Sequence, residues 1–116
     1  MSDSKTTVGE LRQDVRKFVD ERDWNQFHNP KNLAMSIAIE SAELMEHFQW
    51  VEGESAREVR KSPSDIAAIR EELADVLCYA ISFANALEID ITEALRDKLR
   101  KNAEKYPAEK FQGRFR

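Results

Sequence analysis

The stretch IAIESAELMEHFQW, Ile37 to Trp50, decides the fold of this 116-residue chain. Its apolar residues recur every three or four positions, which is the period of an amphipathic α-helix. At about 100° per residue, Glu40, Glu43 and His47 fall on one face of that helix together with Trp50. Because Glu40 also falls within the apolar arc, the pattern predicts a helix that carries a carboxylate into the core.

Start and stop signals divide the rest of the chain into helices. Capping residues are found at Thr7, Asn29, Ser62 and Asp90, each followed by the Pro or acidic residue typical of a first turn. From cap to last turn, the predicted helices are 7–23, 29–52, 62–87 and 90–107. Residues 54–61 form a polar connector with room for a turn of helix, and residues 109–116, EKFQGRFR, form a basic, loose tail.

The composition supports one all-α domain over residues 1–116. Three Gly and three Pro leave little material for the tight turns of a β-sandwich or barrel. A chain of this size can bury a core of its own. The sequence therefore predicts a four-helix bundle.

The net charge of the chain and the lengths of its apolar runs limit the binding partners that we expect. The net charge of −4 gives no global positive field, so nucleic acid is not an expected partner. The chain has no leader-like start and no apolar run of membrane-spanning length, so a membrane is not expected either. The single cysteine, Cys78, excludes an intrachain disulfide and fits a reduced, cytoplasmic location.

Acidic pairs on two helices form a candidate metal site. Glu40 and Glu43 lie on the second helix, and Glu72 and Asp75 share one side of the third with Tyr79. Gathering four carboxylates without compensation would cost several kcal/mol per ion. A hard cation between them, Mg²⁺ or Mn²⁺, would remove that cost. The alternative is a solvated acidic face, which is the expected role of acids such as Glu46 and Glu71.

Basic and aromatic residues complete a candidate nucleotide site. Lys98, Asn102 and Lys105 share one face of the fourth helix, where amines and an amide could meet phosphate oxygens or simply extend into water. Rings such as Trp24 and Trp50 could stack on a base or belong to the core.

Other catalytic sets are poorly supported. The chain has neither of the Gly-rich phosphate-loop patterns. One Cys and two His make a zinc site improbable. A di-iron carboxylate bundle needs Glu-x-x-His on two helices, whereas His47 follows Glu43 at i+4.

Three segments together resemble a known family. They are RDWNQFHNPKNLAMSIAIESAELMEHFQW, REELADVLCYAISFANALEID and KLRKNAEKYPAEKFQG, and the likeness covers roughly residues 8 to 113. In this order they are similar to the MazG-like all-α nucleoside triphosphate pyrophosphohydrolases, and most closely to the dCTP pyrophosphatase branch. The resemblance implies hydrolysis between the α and β phosphates, as in dCTP or a modified dNTP to dNMP and pyrophosphate. It also implies a homodimer or homotetramer with sites at subunit interfaces.

The resemblance also implies roles for individual residues. Mg²⁺ would be bound by Glu40, Glu43, Glu72 and Asp75. For the mechanism, we predict in addition that Glu40 or Glu43 accepts the proton of the attacking water. The implied base and sugar pocket comprises Trp24, Asn25, Gln26, Phe27, His28, Trp50 and Tyr79, and the implied triphosphate contacts are Lys98, Asn102 and Lys105.

The chain differs from the animal dCTP enzymes at one position that bears on recognition of the base. The position that carries a substrate-contacting histidine in the animal dCTP enzymes is Val15 here. This departure leaves the base selectivity open, although not the hydrolysis. Two other functions also stay open. One is a related hydrolase acting on dUTP or phosphoribosyl-ATP, and the other is a non-catalytic helical self-association module.

Overall fold

The computed structural model describes residues 1–114, which form five α-helices and two short 3₁₀ segments. The α-helices are α1 (Val8–Glu21), α2 (Pro30–Glu46), α3 (Pro63–Ala86), α4 (Ile91–Lys105) and α5 (Ala108–Phe111), and the 3₁₀ segments are Trp24–Gln26 and Ser55–Lys61. Within residues 1–114 there is no β-strand, so the predicted all-α class is confirmed. None of these helices is both long enough and apolar enough to span a bilayer.

The four predicted helix starts are confirmed by side-chain caps. Each capping oxygen accepts a backbone N–H three residues on, which satisfies a donor that the first turn leaves free. The bonds are Thr7 to Glu10 at 3.1 Å, Asn29 to Asn32 at 2.9 Å, Ser62 to Asp65 at 3.4 Å and Asp90 to Glu93 at 2.8 Å.

The predicted end of the second helix is wrong. α2 ends at Glu46 rather than near residue 52, and the backbone then bonds at i−3, as from Phe48 N to Met45 O at 2.9 Å. Apolar spacing continues past this point, as far as the half-buried Phe48, so periodicity alone does not mark the end of the helix. Trp50 consequently lies beyond α2, not on its face, and is 88% exposed.

The core lies between the first three helices. α2 packs along α3, and α1 crosses α3. Val19 from α1, Leu33 from α2 and Ala84 from α3 are buried there, and Leu33 is 1% exposed. Hydrophobic burial at these positions fixes α2 and α3 side by side, which determines how their acidic faces meet.

Hydrogen bonds between Arg12 and Asn85 join α1 to the end of α3. Arg12 donates through Nε to Asn85 Oδ1 at 3.0 Å and through Nη1 to the Ile89 carbonyl at 2.6 Å. In return, Asn85 Nδ2 donates to the Arg12 carbonyl at 3.2 Å. The amide of Asn85 is thereby held in one orientation.

The fourth helix does not close the predicted bundle within one chain. Leu95 and Leu99 on α4 are 58% and 57% exposed, and an open groove of about 400 Å³ lies between α3 and the first turns of α4. The radius of gyration is 17.1 Å, whereas a compact chain of this length has about 13 Å. Three helices form the packed unit, and α4 projects from it.

The predicted loose tail is partly helical. Residues 108–111 form α5, and the Phe111 ring meets Tyr106 edge to face with centroids 5.2 Å apart. The last two residues of the predicted tail, 115 and 116, lie outside the described residues.

Candidate active site

Three acidic side chains converge where α2 packs on α3. Glu40 and Glu43 project from α2 and Glu72 from α3, and one carboxylate oxygen of each lies within 4.8 Å of the other two. Glu40 and Glu72 are half-buried, and Glu43 is exposed. The cluster therefore combines two desolvated acids with one at the solvent edge.

This crowding changes proton affinity. Burial raises the pKa of Glu40 to about 7, aided by a hydrogen bond shared with Glu43 and by the charges of Glu43, Asp75 and Glu72. Burial also raises the pKa of Glu72, again with Glu43 and Asp75 adding to it and His47 opposing it. At a given pH, Glu40 and Glu72 are therefore protonated to a greater extent than isolated carboxyl groups would be.

Asp75 stands slightly apart from the other acids. It is not one of the three residues whose oxygens meet within 4.8 Å, and it is exposed on the wall of the adjacent cavity. Its charge nevertheless contributes to the raised pKa of both Glu40 and Glu72. The predicted set of four is thus a close group of three with a fourth carboxylate beside it.

The three grouped acids fit a hard divalent cation. Glu40 and Glu72 each bury one oxygen, Oε2, that has no hydrogen-bond partner within residues 1–114. Buried polar atoms without partners are rare, and each calls for a compensating ligand. An all-oxygen donor set of this kind suits Mg²⁺ or Mn²⁺ rather than zinc.

An aromatic cavity of about 240 Å³, here called the outer cavity, adjoins the acids. His28 lies between Trp24 and Tyr79, with ring centroids 6.1 Å from each, and Phe18 meets Trp24 edge to face at 5.6 Å. Asp75 lies on the wall of this cavity, so an apolar, ring-lined space opens directly beside the acidic group. The remaining lining residues are Val19, Cys78 and Ser82.

Cys78 takes no nucleophilic role in this cavity. Burial, with the charge of Asp75, raises the pKa of its thiol. The thiolate is the reactive form, so the side chain is suppressed as a nucleophile near neutral pH. Burial likewise raises the pKa of Tyr79, whose hydroxyl therefore stays protonated.

A second space of about 110 Å³, here called the inner cavity, lies between α1, the first 3₁₀ segment and α3. Its lining residues are Val15, Arg16, Val19, Asp20, Asn25, His28, Ser82, Asn85 and Ala86. Asn25, a predicted pocket residue, donates to Asp20 Oδ1 at 2.6 Å.

Other predicted substrate residues lie elsewhere in the chain. Gln26 donates to the Asp23 carbonyl at 3.0 Å, and Phe27 is 59% exposed. Trp50 is exposed beyond α2. The predicted triphosphate contacts occupy the projecting α4, with Lys98 and Lys105 exposed and Asn102 half-buried. Their assigned roles stay predictions.

Sequence reasoning missed the polar lining of the inner cavity. Two helices that are far apart in sequence supply this polar lining, namely Arg16 and Asp20 from α1 and Asn85 from α3. Only Asn85 could have been noticed in the sequence, because it is an amide inside the apolar stripe of α3. Arg16 and Asp20 resemble ordinary solvated helix residues until α1 is placed on α3.

The arrangement suits a ligand with a charged end and a ring. An anion bridged to the acids by a cation would lie at the mouth of the outer cavity, and a flat apolar group would fit between the rings. A nucleotide has both features.

Comparisons with known proteins agree with this chemistry. The model of the MazG-like family matches residues 35–114. The chain is 36% identical to dCTP pyrophosphatase 1 of Bos taurus over 110 residues, covering 95% of this chain and 65% of that protein. It is 40% identical to dCTP pyrophosphatase 1 of Homo sapiens over 103 residues, covering 88% and 60%. The chain thus spans less than two thirds of the length of these relatives.

A solved structure extends the likeness to the fold. A pyrophosphatase from Archaeoglobus fulgidus DSM 4304 superposes with a TM-score of 0.80 at 40% identity. The match covers 92% of this chain and 98% of that one. At this identity and coverage the two chains share their architecture across nearly their full lengths.

Proposed function

Because the chain belongs to the MazG-like family, we propose that it is a nucleoside triphosphate pyrophosphohydrolase that converts a dNTP, with dCTP as the first candidate, to dNMP and pyrophosphate. The observation that carries this proposal is the group formed by Glu40, Glu43 and Glu72 beside a ring-lined cavity. A cation would satisfy the two carboxylate oxygens in that group that lack partners, and the ring-lined cavity would take the nucleoside. A non-catalytic module would need neither feature.

The acids would hold Mg²⁺, with Mn²⁺ as a substitute. Glu40, Glu43 and Glu72 supply the converging oxygens, and Asp75 adds negative charge at the cavity wall. When bound, the cation neutralises polyphosphate charge and polarises the phosphorus under attack. The residues that line the outer cavity include no lysine or arginine, so positive charge beside the polyphosphate would come from the cation.

Proton transfer is assigned to the α2 acids. A water attacking the α-phosphorus must lose a proton, and a general base works best when its pKa lies near the working pH. Glu40 lies half-buried within the converging group. Glu43, exposed at the edge of the group, is better placed to meet solvent. We assign the proton to one of these two carboxylates.

The names of the relatives support dCTP as the first substrate to test. The phosphate end would point to the acids and the nucleoside to Trp24, His28 and Tyr79, which surround the outer cavity. In such an orientation the α-phosphorus would lie close to the acids, where a bound cation would assist cleavage of the bond that releases pyrophosphate.

A homo-oligomer is part of this proposal. Leu73 and Leu77 on α3 and Leu95 and Leu99 on α4 are 48–58% exposed, more apolar surface than an isolated chain of this size would normally display in one region. A second copy covering this face would also pack α4, whose Lys98, Asn102 and Lys105 we assign to the triphosphate in the assembled protein. Both a dimer and a tetramer satisfy this requirement.

The test is pyrophosphate release with product identification. The purified protein is incubated with dCTP, dUTP, the other dNTPs and phosphoribosyl-ATP, with and without Mg²⁺, in oxygen-18 water. The proposal expects Mg²⁺-dependent release of pyrophosphate and label in the monophosphate, since attack falls on the α-phosphorus. Label in pyrophosphate, orthophosphate as product, or no release from any triphosphate would reject it.

A further inference from the structure

The connector between α3 and α4, residues 87–90, is held by hydrogen bonds at both of its ends. α3 ends in a Schellman motif, in which the N–H groups of Ile89 and Glu88 donate to carbonyls of its last turn at 2.9 and 3.4 Å. Glu88 adopts the left-handed conformation there, with a φ of 56°, which costs a residue other than glycine free energy. Asp90 then caps α4. The chain therefore passes from α3 into α4 through a turn of defined geometry.

Arg12 holds this connector from α1. Its Nη1 donates to the Ile89 carbonyl at 2.6 Å, while its Nε donates to Asn85 Oδ1 at 3.0 Å. Asn85 Nδ2 donates in return to the Arg12 carbonyl at 3.2 Å, and both side chains belong to half-buried residues. Because the guanidinium is planar and rigid, two bonds from one side chain hold the connector at a single position relative to α1 and the end of α3.

Helix packing contributes little to the orientation of α4. Within residues 1–114, α4 makes little contact with the other helices. Leu95 and Leu99, on its apolar side, are each more than half exposed. Within one chain, the direction in which α4 leaves the packed unit is therefore set by the connector and by the hydrogen bond that Arg12 donates to it.

A small rotation at the connector is enlarged along α4. At 1.5 Å per residue, Lys98 lies about 12 Å and Asn102 about 18 Å beyond Asp90. A rotation of about 15° at the connector would therefore move these two residues by about 3 and 5 Å. A hydrogen bond tolerates a change of only a few tenths of an ångström in its length. The phosphate contacts that we assign to α4 thus depend on the direction of the helix.

We propose that Arg12 is a positioning residue that orients α4, so that Lys98 and Asn102 reach the phosphate chain of the substrate. Arg12 does not contact the substrate in this assignment but acts through Ile89 and the connector. Loss of its hydrogen bonds weakens binding of the β and γ phosphates and leaves the nucleoside end of the ligand unaffected. The role given to α4 rests on the proposed function, whereas the hold of Arg12 on the connector belongs to the chain alone.

The first test follows the connector without any ligand, by hydrogen–deuterium exchange. Arg12→Lys keeps the charge but cannot supply two bonds in a fork, and Arg12→Met keeps an apolar stem and has no donor. Amides of residues 87–93 should exchange about tenfold faster in Arg12→Met and by a smaller factor in Arg12→Lys, while the middle of α3 is unchanged. Exchange at the wild-type rate in both variants would overturn the inference.

The second test compares ligands with and without the β and γ phosphates. Calorimetry with Mg²⁺ uses dCMP and a dCTP analogue that carries a methylene bridge between the α and β phosphates, so no turnover is needed. Arg12→Met should raise the Kd of the analogue about tenfold, as expected for the loss of one hydrogen bond to a charged group, and change that of dCMP by less than about twofold. A variant that is only less stable would contain less active protein and would show wild-type Kd values for both ligands.

Arg100→Lys is the matched control. Arg100 lies on α4 and pairs with Glu104, one turn farther on, at 3.4 Å, so the same substitution is made on the exposed surface without touching the connector. Its exchange pattern and both affinities should equal those of the wild type. Equal weakening of the two ligands in Arg12→Met, or faster exchange with unchanged affinity for the analogue, would overturn the role of Arg12. A wild type that binds the analogue but releases no pyrophosphate from dCTP would reject the proposed function alone.

Discussion

Glu40 on α2 and Glu72 on α3 each bury a carboxylate oxygen that lacks a partner within residues 1–114, and both belong to a group of oxygens within 4.8 Å of one another. The packing of α2 on α3 therefore brings together two acids that repel each other and that each have an oxygen without a hydrogen-bond partner. Such pairs are costly unless protonated or bridged by a cation. Stability should accordingly depend on both pH and metal.

The first prediction is that the metal-free protein becomes less stable as pH rises. The pKa of Glu40 is about 7 in the folded chain against an ordinary 4.5, so between these values the folded state binds a proton that the unfolded chain has released. The free energy of unfolding then falls with increasing pH, and this contribution is fully present below pH 4.5 and lost above pH 7. The raised pKa of Glu72 acts in the same direction.

The measurement is the melting temperature in EDTA from pH 5 to pH 8, repeated with millimolar Mg²⁺. A cation replaces the missing proton, so Mg²⁺ should raise the melting temperature more at pH 8 than at pH 5. Glu40→Gln, which is neutral at every pH, should flatten the metal-free slope. A melting temperature at pH 8 that is indifferent to Mg²⁺ would contradict a metal site on these helices.

The second prediction concerns Glu43→Gln. The substitution keeps the size of the side chain and removes one of three converging charges, so the fold should persist while kcat falls by about a hundredfold or more. Without metal, the melting temperature should equal or exceed that of the wild type, because like-charge repulsion is relieved.

Glu46→Gln is the control for that experiment. Glu46 is an exposed acid at the end of the same helix and is not one of the three clustered residues. It should retain wild-type turnover and metal dependence. Pyrophosphate release by Glu43→Gln at the wild-type rate would remove Glu43 from the site.

Local patterns predicted much of the fold because the determining bonds are local. The caps at Thr7, Asn29, Ser62 and Asp90 each involve a residue three positions away, and all four form as expected. The convergence of the acids could be anticipated as well, since i, i+3 spacing puts each pair on one face and apolar stripes place those faces together.

Features that depend on distant packing could not be predicted. α2 ends at Glu46 and a series of turns follows, although the apolar spacing itself continues. The inner cavity joins Arg16 to Asn85 across 69 positions, so no window of sequence contains it. α4 projects with Leu95 and Leu99 exposed, and the spacing of these leucines alone does not indicate that the helix leaves the packed unit.

The third prediction is that Trp24→Ala raises KM by about tenfold with a smaller effect on kcat. Trp24 forms one wall of the outer cavity and contacts Phe18 and His28, and its loss would expose a bound nucleoside to water. Ring contacts with a nucleoside are worth roughly 1–3 kcal/mol each. Steady-state kinetics with dCTP give both constants, and Trp24→Phe should recover part of the lost KM. A drop in kcat at unchanged KM would place Trp24 in the chemistry rather than in binding.

The fourth prediction is that Leu95→Glu dissociates the oligomer. Leu95 is 58% exposed and lines the open groove of about 400 Å³ between α3 and α4, together with Leu77 and Ile91. A carboxylate there would have to be desolvated without a partner when a second copy covers the groove, at a cost of several kcal/mol.

Light scattering after gel filtration should give a multiple of the 13.4 kDa chain mass for the wild type and the single mass for the variant. Lys101→Gln changes the net charge equally at an exposed α4 position and should leave the mass unaltered. Pyrophosphate release should fall with dissociation, because Lys98 and Asn102 lie on the helix that loses its packing. A wild type that is monomeric at micromolar concentration and fully active would show instead that the site is complete within one chain.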